Sequence, residues 1–93
     1  MNKAERLHLS RVADLGCIVC RLEFGIEDSP AECHHIRTGQ GHKRASYLET
    51  IPLCPLHHRT GGHSVAYHAG ARAWEAKYGT ELELLEAVRE LLG

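Results

Sequence analysis

Aromatic residues are scarce in this chain. One Trp, one Phe and three Tyr make up 5% of its 93 residues. A domain of this length buries only about 60% of its unfolded surface, so a core with few aromatic rings is thin. Some further source of stability is expected. Long apolar runs are also missing. The opening "MNKAERLHLSRV" lacks the apolar stretch of a secretory signal, and no later segment is apolar for long enough to span a membrane. The expected setting is a reducing one, the cytoplasm, where thiols serve metals or chemistry more often than disulfides. An excess of one charge is the third absence. The formal net charge of −1 argues against a general nucleic-acid sponge.

That average hides a pattern. From His34 to Ala73 there are five cations (Arg37, Lys43, Arg44, Arg59, Arg72) and one anion, Glu49. Residues 1–33 sum to −2 and residues 74–93 to −3, so the middle is the cationic part of an acidic protein. A local field of that kind attracts phosphate without a high overall pI.

The same middle holds seven of the eight histidines and one of the four cysteines. In "ECHHIRTGQGHKRASYLETIPLCPLHHRTGG", two His–His pairs appear, His34-His35 and His57-His58. Around them the pattern predicts a helix over residues 2–15, with Leu9, Val12 and Ala13 as its apolar stripe and Gly16 as its stop. "GCIVC" reads as a tight turn and "RLEFGIEDSPAE" as a loop. "ECHHIR" and "YLETIPLC" read as two strands of a hairpin, with Pro52 marking an edge. "PLHHR" opens a short helix and Gly61-Gly62 breaks it. A helix from about residue 70 to 78 puts Trp74 and Tyr78 one turn apart, as core. Thr80 and Glu83 form a capping box for a last helix, whose buried stripe is Leu84, Leu85, Val88, Leu91 and Leu92.

Cys17-x2-Cys20 pairs naturally with Cys54-x2-His57. Two tight turns, each presenting two ligands, close a tetrahedron around Zn²⁺. Binding free energy then becomes folding free energy, the missing staple. The alternative is a set of inert buried thiols. Cys33 is the odd one out and reads as a packed thiol.

With His57 assigned to zinc, His34, His35 and His58 remain. Neighbours on a strand point to opposite faces, so His34 and His35 are not expected to share a task. One can face a metal while the other approaches a substrate, and His58 can reach the same metal as His34. An imidazole of ordinary pKa, about 6.5, takes a proton from water near neutral pH. His8 and His42 read as ordinary surface or core residues.

A strand with His-His-Ile, a glycine-bearing loop, a strand ending Leu-Cys-x2-His-His and then a helix resemble the ββα-metal fold of HNH endonucleases. "HHIRTGQG…IPLCPLHH…GG…HAG…WEAKYGTELELL" is similar, more narrowly, to the phage recombination-enhancement nucleases (Ref-type, RecA-dependent). The resemblance spans roughly residue 16 to the C-terminus. It implies an α+β fold, a small zinc-stabilised ββα-metal (HNH or His-Me finger) domain with flanking helices, covering residues 1–93 as one nuclease domain.

The resemblance also implies roles. His34 binds the catalytic metal, His35 is the general base and His58 is the second metal ligand. His63 is the third ligand, and His68 is a further candidate. The middle asparagine of the HNH pattern has no match. Glu49 or Thr50 occupies that region, and a backbone carbonyl is the other means of orienting His35. Arg37, Lys43, Arg44 and Arg59 are the expected phosphate contacts. The implied cofactors are a structural Zn²⁺ and a divalent metal in the active site (Mg²⁺, Mn²⁺, Ni²⁺ or Zn²⁺). The implied reaction is hydrolysis of DNA phosphodiester bonds to a 5′-phosphate and a 3′-hydroxyl, in a phage or prophage enzyme of the bacterial cytoplasm. DNA is the expected partner, a recombinase filament a further one, and a membrane none. The rival from another class is a non-catalytic zinc module that binds DNA or protein; it needs Cys17, Cys20, Cys54 and His57 but gives no reason for His34, His35 and His58.

Overall fold

The computed structural model describes residues 1–93. Helix α1 (Lys3–Asp14) starts at a capping box in which Asn2 and Glu5 each satisfy the other's backbone N–H. Helix α2 spans Ile18–Phe24. A two-stranded antiparallel sheet follows, β1 (Glu32–His35) and β2 (Thr50–Leu53), with His34 opposite Ile51 and His35 opposite Thr50. A π-helical segment, Leu56–Thr60, and a single 3₁₀ turn, Tyr67–Ala69, lead to α3 (Ala71–Tyr78) and α4 (Glu81–Leu92). The result is a small α+β protein. None of its helices is long and apolar enough to cross a membrane.

The expected elements appear with two additions, the 3₁₀ turn at Tyr67–Ala69 and a helix. Residues 18–24, read as a turn and a loop, form α2. The Cys17 thiol accepts the Cys20 amide proton at 3.4 Å, so the metal-type turn is also the start of a helix. Gly25, left-handed at φ 68°, closes it. At seven residues this helix is too short for periodicity to announce it. The turn before it depends on Gly16 (φ +75°), where a Cβ would lie 2.6 Å from the Glu27 carbonyl oxygen.

One core joins all four helices and both strands. Val12, Ile18, Val19, Ile36, Ile51, Leu53, Trp74, Leu84, Leu85 and Val88 are its main apolar members. Strand β2 is buried along its whole length, packed on α1, α2 and α4. Both strands of a two-stranded sheet are edges, which is why Pro52 is tolerated. Trp74 is fully buried, as expected, with the rings of Tyr67 and Tyr78 edge-on at 5.2 and 5.6 Å. Leu91 departs from expectation, at 44% exposed, while Leu92 packs on the core as expected.

Candidate metal centres and active site

The two His–His pairs split between two clusters. His57 and His58 follow each other in the π-helical segment. Successive side chains on a helix diverge by about 100°, so the pair serves two directions. His57 turns inward to Cys17, Cys20 and Cys54, and His58 turns toward His34 and His68. On β1 the divergence is larger: His34 is 2% exposed and meets His58, while His35 points to Ala45 and Tyr47.

In the first cluster, Cys17, Cys20, Cys54 and His57 are all buried. Their donor atoms all lie within 4.8 Å of one another, with Cys54 Sγ 3.2 Å from His57 Nδ1 and Cys20 Sγ 3.8 Å from Cys54 Sγ. Cys17 and Cys20 lie 3.7 and 3.6 Å from His57 Nδ1. A tetrahedron of thiolates about 2.3 Å from a Zn²⁺ ion has edges of about 3.8 Å, and an imidazole shortens its own edges. The four residues fit a metal such as zinc. Burial pushes the Cys17 thiol upward, so a cation must displace protons to enter. The ring of Phe24 lies flat over His57 at 6.1 Å, and Tyr78 meets it edge-on at 5.3 Å.

The second cluster is His34, His58 and His68. His34 Nδ1 is 3.2 Å from His58 Nε2, which is 3.1 Å from His68 Nε2. The outer nitrogens are engaged by carboxylates. His34 Nε2–H donates to Glu81 Oε2 at 2.6 Å, and His58 Nδ1–H donates to Glu32 Oε1 at 2.8 Å. A carboxylate only accepts, and a neutral imidazole that donates through one nitrogen carries a lone pair on the other. With both rings neutral, the facing nitrogens of His34 and His58 are two lone pairs 3.2 Å apart. That arrangement is repulsive unless a cation sits among them, and three imidazole nitrogens backed by carboxylates are a metal donor set. The residues fit a divalent ion.

Both carboxylates are ionised. The Arg59 guanidinium, then His58, hold Glu32 down to about 2. Burial would raise Glu81, but hydrogen bonds from His34, Thr38 and the Arg37 and Thr38 amides outweigh it and hold it at about 2. His35 is held by a different partner: its Nδ1–H donates to the Ala45 carbonyl at 3.2 Å, and Tyr47 stands edge-on to its ring at 5.2 Å. Nε2 is left bare. Burial, then the charge of Arg44, lower its pKa below the ordinary imidazole value, keeping it neutral near pH 7.

Both histidine groups open onto one cleft of about 380 Å³, whose lining includes Arg37, Lys43 and Arg44. Arg59 does not line it. It pairs instead with Glu32 at 2.6 Å, on the far side of His58. His63 stands outside the group of three. Its Nδ1 lies 2.9 Å from where a Gly70 Cβ would be, so it covers Gly70. His42 is exposed and lines the cleft, and His8 is half-buried on α1. The half-buried Cys33 thiol reaches the Leu9 carbonyl at 3.6 Å, a packed thiol.

Sequence reasoning missed Glu32, Glu81 and the Ala45 carbonyl. Glu32 had a signal: it lies two residues before His34 on one strand, hence on the same face. Glu81 had none, since 47 residues separate it from His34.

Fold and clusters together define the class: a small α+β protein with a buried Cys₃His group and an open three-histidine group, each able to hold a metal. The family model for recombination enhancement, RecA-dependent nuclease, matches residues 2–93, and the chain belongs to that family. Comparison with curated proteins finds no match.

Proposed function

We propose that the chain is a metal-dependent DNA endonuclease of the HNH, ββα-metal type, with residues 1–93 acting as one domain. The observation that carries this is the convergence of the His34, His58 and His68 ring nitrogens, His58 Nε2 lying 3.2 and 3.1 Å from the other two, with two of the rings backed by carboxylates and His35 on the same cleft. Cys17, Cys20, Cys54 and His57 hold a structural Zn²⁺. His34, His58 and His68 hold the active-site ion, Mg²⁺, Mn²⁺, Ni²⁺ or Zn²⁺. A divalent ion there supplies Lewis acidity toward the phosphate and the leaving oxygen.

The chain's own residues do the rest. The Ala45 carbonyl fixes the His35 ring with Nε2 toward the cleft. His35 Nε2 takes a proton from water, whose oxygen bonds to phosphorus as the P–O3′ bond breaks. The 3′-oxygen leaves and collects a proton from solvent, giving a 5′-phosphate and a 3′-hydroxyl. Arg37, Lys43 and Arg44 hold phosphates flanking the scissile one. The family description supports a recombinase filament as a second partner. The phage origin and the bacterial cytoplasm complete the proposal. The non-catalytic module accounts for the cysteine cluster and leaves the carboxylate-backed histidines without a purpose.

The test is a supercoiled plasmid, alone and with a strand displaced by a recombinase filament, incubated with wild-type protein, His35→Ala and His58→Ala. Cleavage by the wild type in either form, lost in both variants, supports the proposal. Cleavage that survives both variants rejects it.

A further inference from the structure

Glu81 is the most deeply buried acid in the molecule, at 0% exposure, yet it lies in no cleft and touches no cation. Its Oε2 accepts from His34 Nε2 at 2.6 Å. Its two oxygens also accept from the Arg37 amide at 2.9 and 3.0 Å. Oε1 further accepts from the Thr38 amide at 2.9 Å and the Thr38 hydroxyl at 2.7 Å. An ionised carboxylate taken out of water is costly unless its lone pairs are used, and here donors from three residues use them.

Position explains how it gets there. Thr80 caps α4, which makes Glu81 the helix's first residue. The Glu81 amide donates to Glu75 Oε2 at 2.8 Å, tying the start of α4 to α3. The carboxylate is thus delivered by the C-terminal helices to the end of β1, where the ligand strand becomes the loop bearing Arg37, Lys43 and Arg44. It touches both the ligand and that loop's first amides.

We infer that Glu81 is a positioning residue that keeps the His34 proton on Nε2, leaving Nδ1 as the metal-facing donor, and that pins the root of the cationic loop to the same ligand. This rests on the metal-holding part of the proposed function and not on cleavage. An imidazole ligand has two tautomers, and the one that binds is set by what its other nitrogen contacts. Glu81 leaves His34 no choice, because a carboxylate cannot donate to Nε2. The same carboxylate holds the backbone at Arg37 and Thr38, so the ligand and the first phosphate-contacting cation share one anchor. A purely structural bolt would hold the fold and leave the tautomer free.

The test reads metal and tautomer directly. Long-range ¹H–¹⁵N imidazole spectra are recorded on wild-type protein carrying zinc only in the cysteine cluster. Binding of Mn²⁺ and Ni²⁺ is measured by calorimetry on wild type and Glu81→Gln, beside zinc content and amide exchange. Glutamine can serve His34 Nε2–H only by turning its NH₂ toward amides that also donate. The expected spectrum has His34 protonated on Nε2. The expected variant keeps its zinc, binds Mn²⁺ and Ni²⁺ about 10- to 100-fold more weakly, and exchanges the Arg37 and Thr38 amides faster. A His34 proton on Nδ1 in the wild type overturns the inference, and so does wild-type affinity in a folded Glu81→Gln. If that variant does not fold, the wild-type spectrum alone decides. Plasmid cleavage enters nowhere, so failure of the nuclease reading and failure of this one are told apart.

Discussion

The two clusters share only histidine as a donor and are built in opposite ways. The cysteine cluster has four donors, all buried, and is sealed by Phe24 and Tyr78. The histidine cluster has three donors, graded from buried His34 to exposed His68, and opens on a cationic cleft. A closed four-donor site holds a fold, whereas an open three-donor site leaves room for a reacting oxygen. The supports differ as well. The cysteine donors rest on backbone turns and rings; the histidine donors rest on Glu81 and Glu32. Carboxylates behind a ligand orient it and raise its basicity, which matters for chemistry more than for folding.

The largest expected break in this comparison comes from the closed cluster. Cys20→Ala or Cys54→Ala should unfold the domain. Structural zinc contributes on the order of 10 kcal/mol in small metal domains, against a total stability of about 5–15 kcal/mol. Circular dichroism and a thermal melt check this. A variant with the wild-type melt and zinc content would remove the structural role.

Next come the open cluster and its neighbour. His34→Ala and His58→Ala should stay folded, keep zinc, lose the second metal and stop cleaving. His35→Ala should keep both metals and slow cleavage by a factor of about 10² to 10⁴. The wild-type pH profile sharpens the contrast. The folded pKa of His35 is lowered, so its free base, and with it the rate, should persist at pH 6.5 and fall only below that. A rate already halved at pH 7 would count against His35 as the base. Metal titrations and cleavage at each pH supply both readings.

A smaller contrast separates two histidines close in sequence. His68→Ala should weaken the second metal, because its Nε2 is 3.1 Å from His58 Nε2. His63→Ala should leave it in place, since His63 covers Gly70. Calorimetric titration of the pair checks the assignment, and the reverse order of affinities would restore His63 as the ligand.

The smallest effect belongs to the loop. Lys43→Ala with Arg44→Ala should leave the melt unchanged, because both side chains are exposed. It should flatten the salt dependence of DNA binding by roughly 0.9 in log–log slope for each phosphate left unneutralised. An unchanged slope would move the DNA path away from this loop.

What the sequence made legible follows from the range of each signal. The Thr80–Glu83 box and the apolar stripe announced α4, and alternation announced that His34 and His35 part company. Cys-x2-Cys and Cys-x2-His announced the closed cluster because each half is local, and the fold needed only to bring two turns together. Helix α2 stayed hidden because a thiol caps it and only two turns follow. The choice between His63 and His68 was equally hidden. It depends on Gly70 accepting the His63 ring and on a 3₁₀ turn aiming His68, both tertiary facts. Arg59, expected at a phosphate, pairs with Glu32, a partner 27 residues away that no local pattern could announce. Glu81 could be seen only once α4 had docked against β1 and the loop.

The central claim is that one cluster holds the fold and the other does the chemistry. The direct test chelates the protein until one tightly held zinc per chain remains. Mg²⁺, Mn²⁺, Ni²⁺ or Zn²⁺ is then added in turn, with supercoiled plasmid, with and without a recombinase filament, while circular dichroism is followed. The account predicts an unchanged spectrum throughout, no cleavage before addition and cleavage after it. Cleavage with one zinc alone, or a fold that appears only with the metal that restores cleavage, would contradict it.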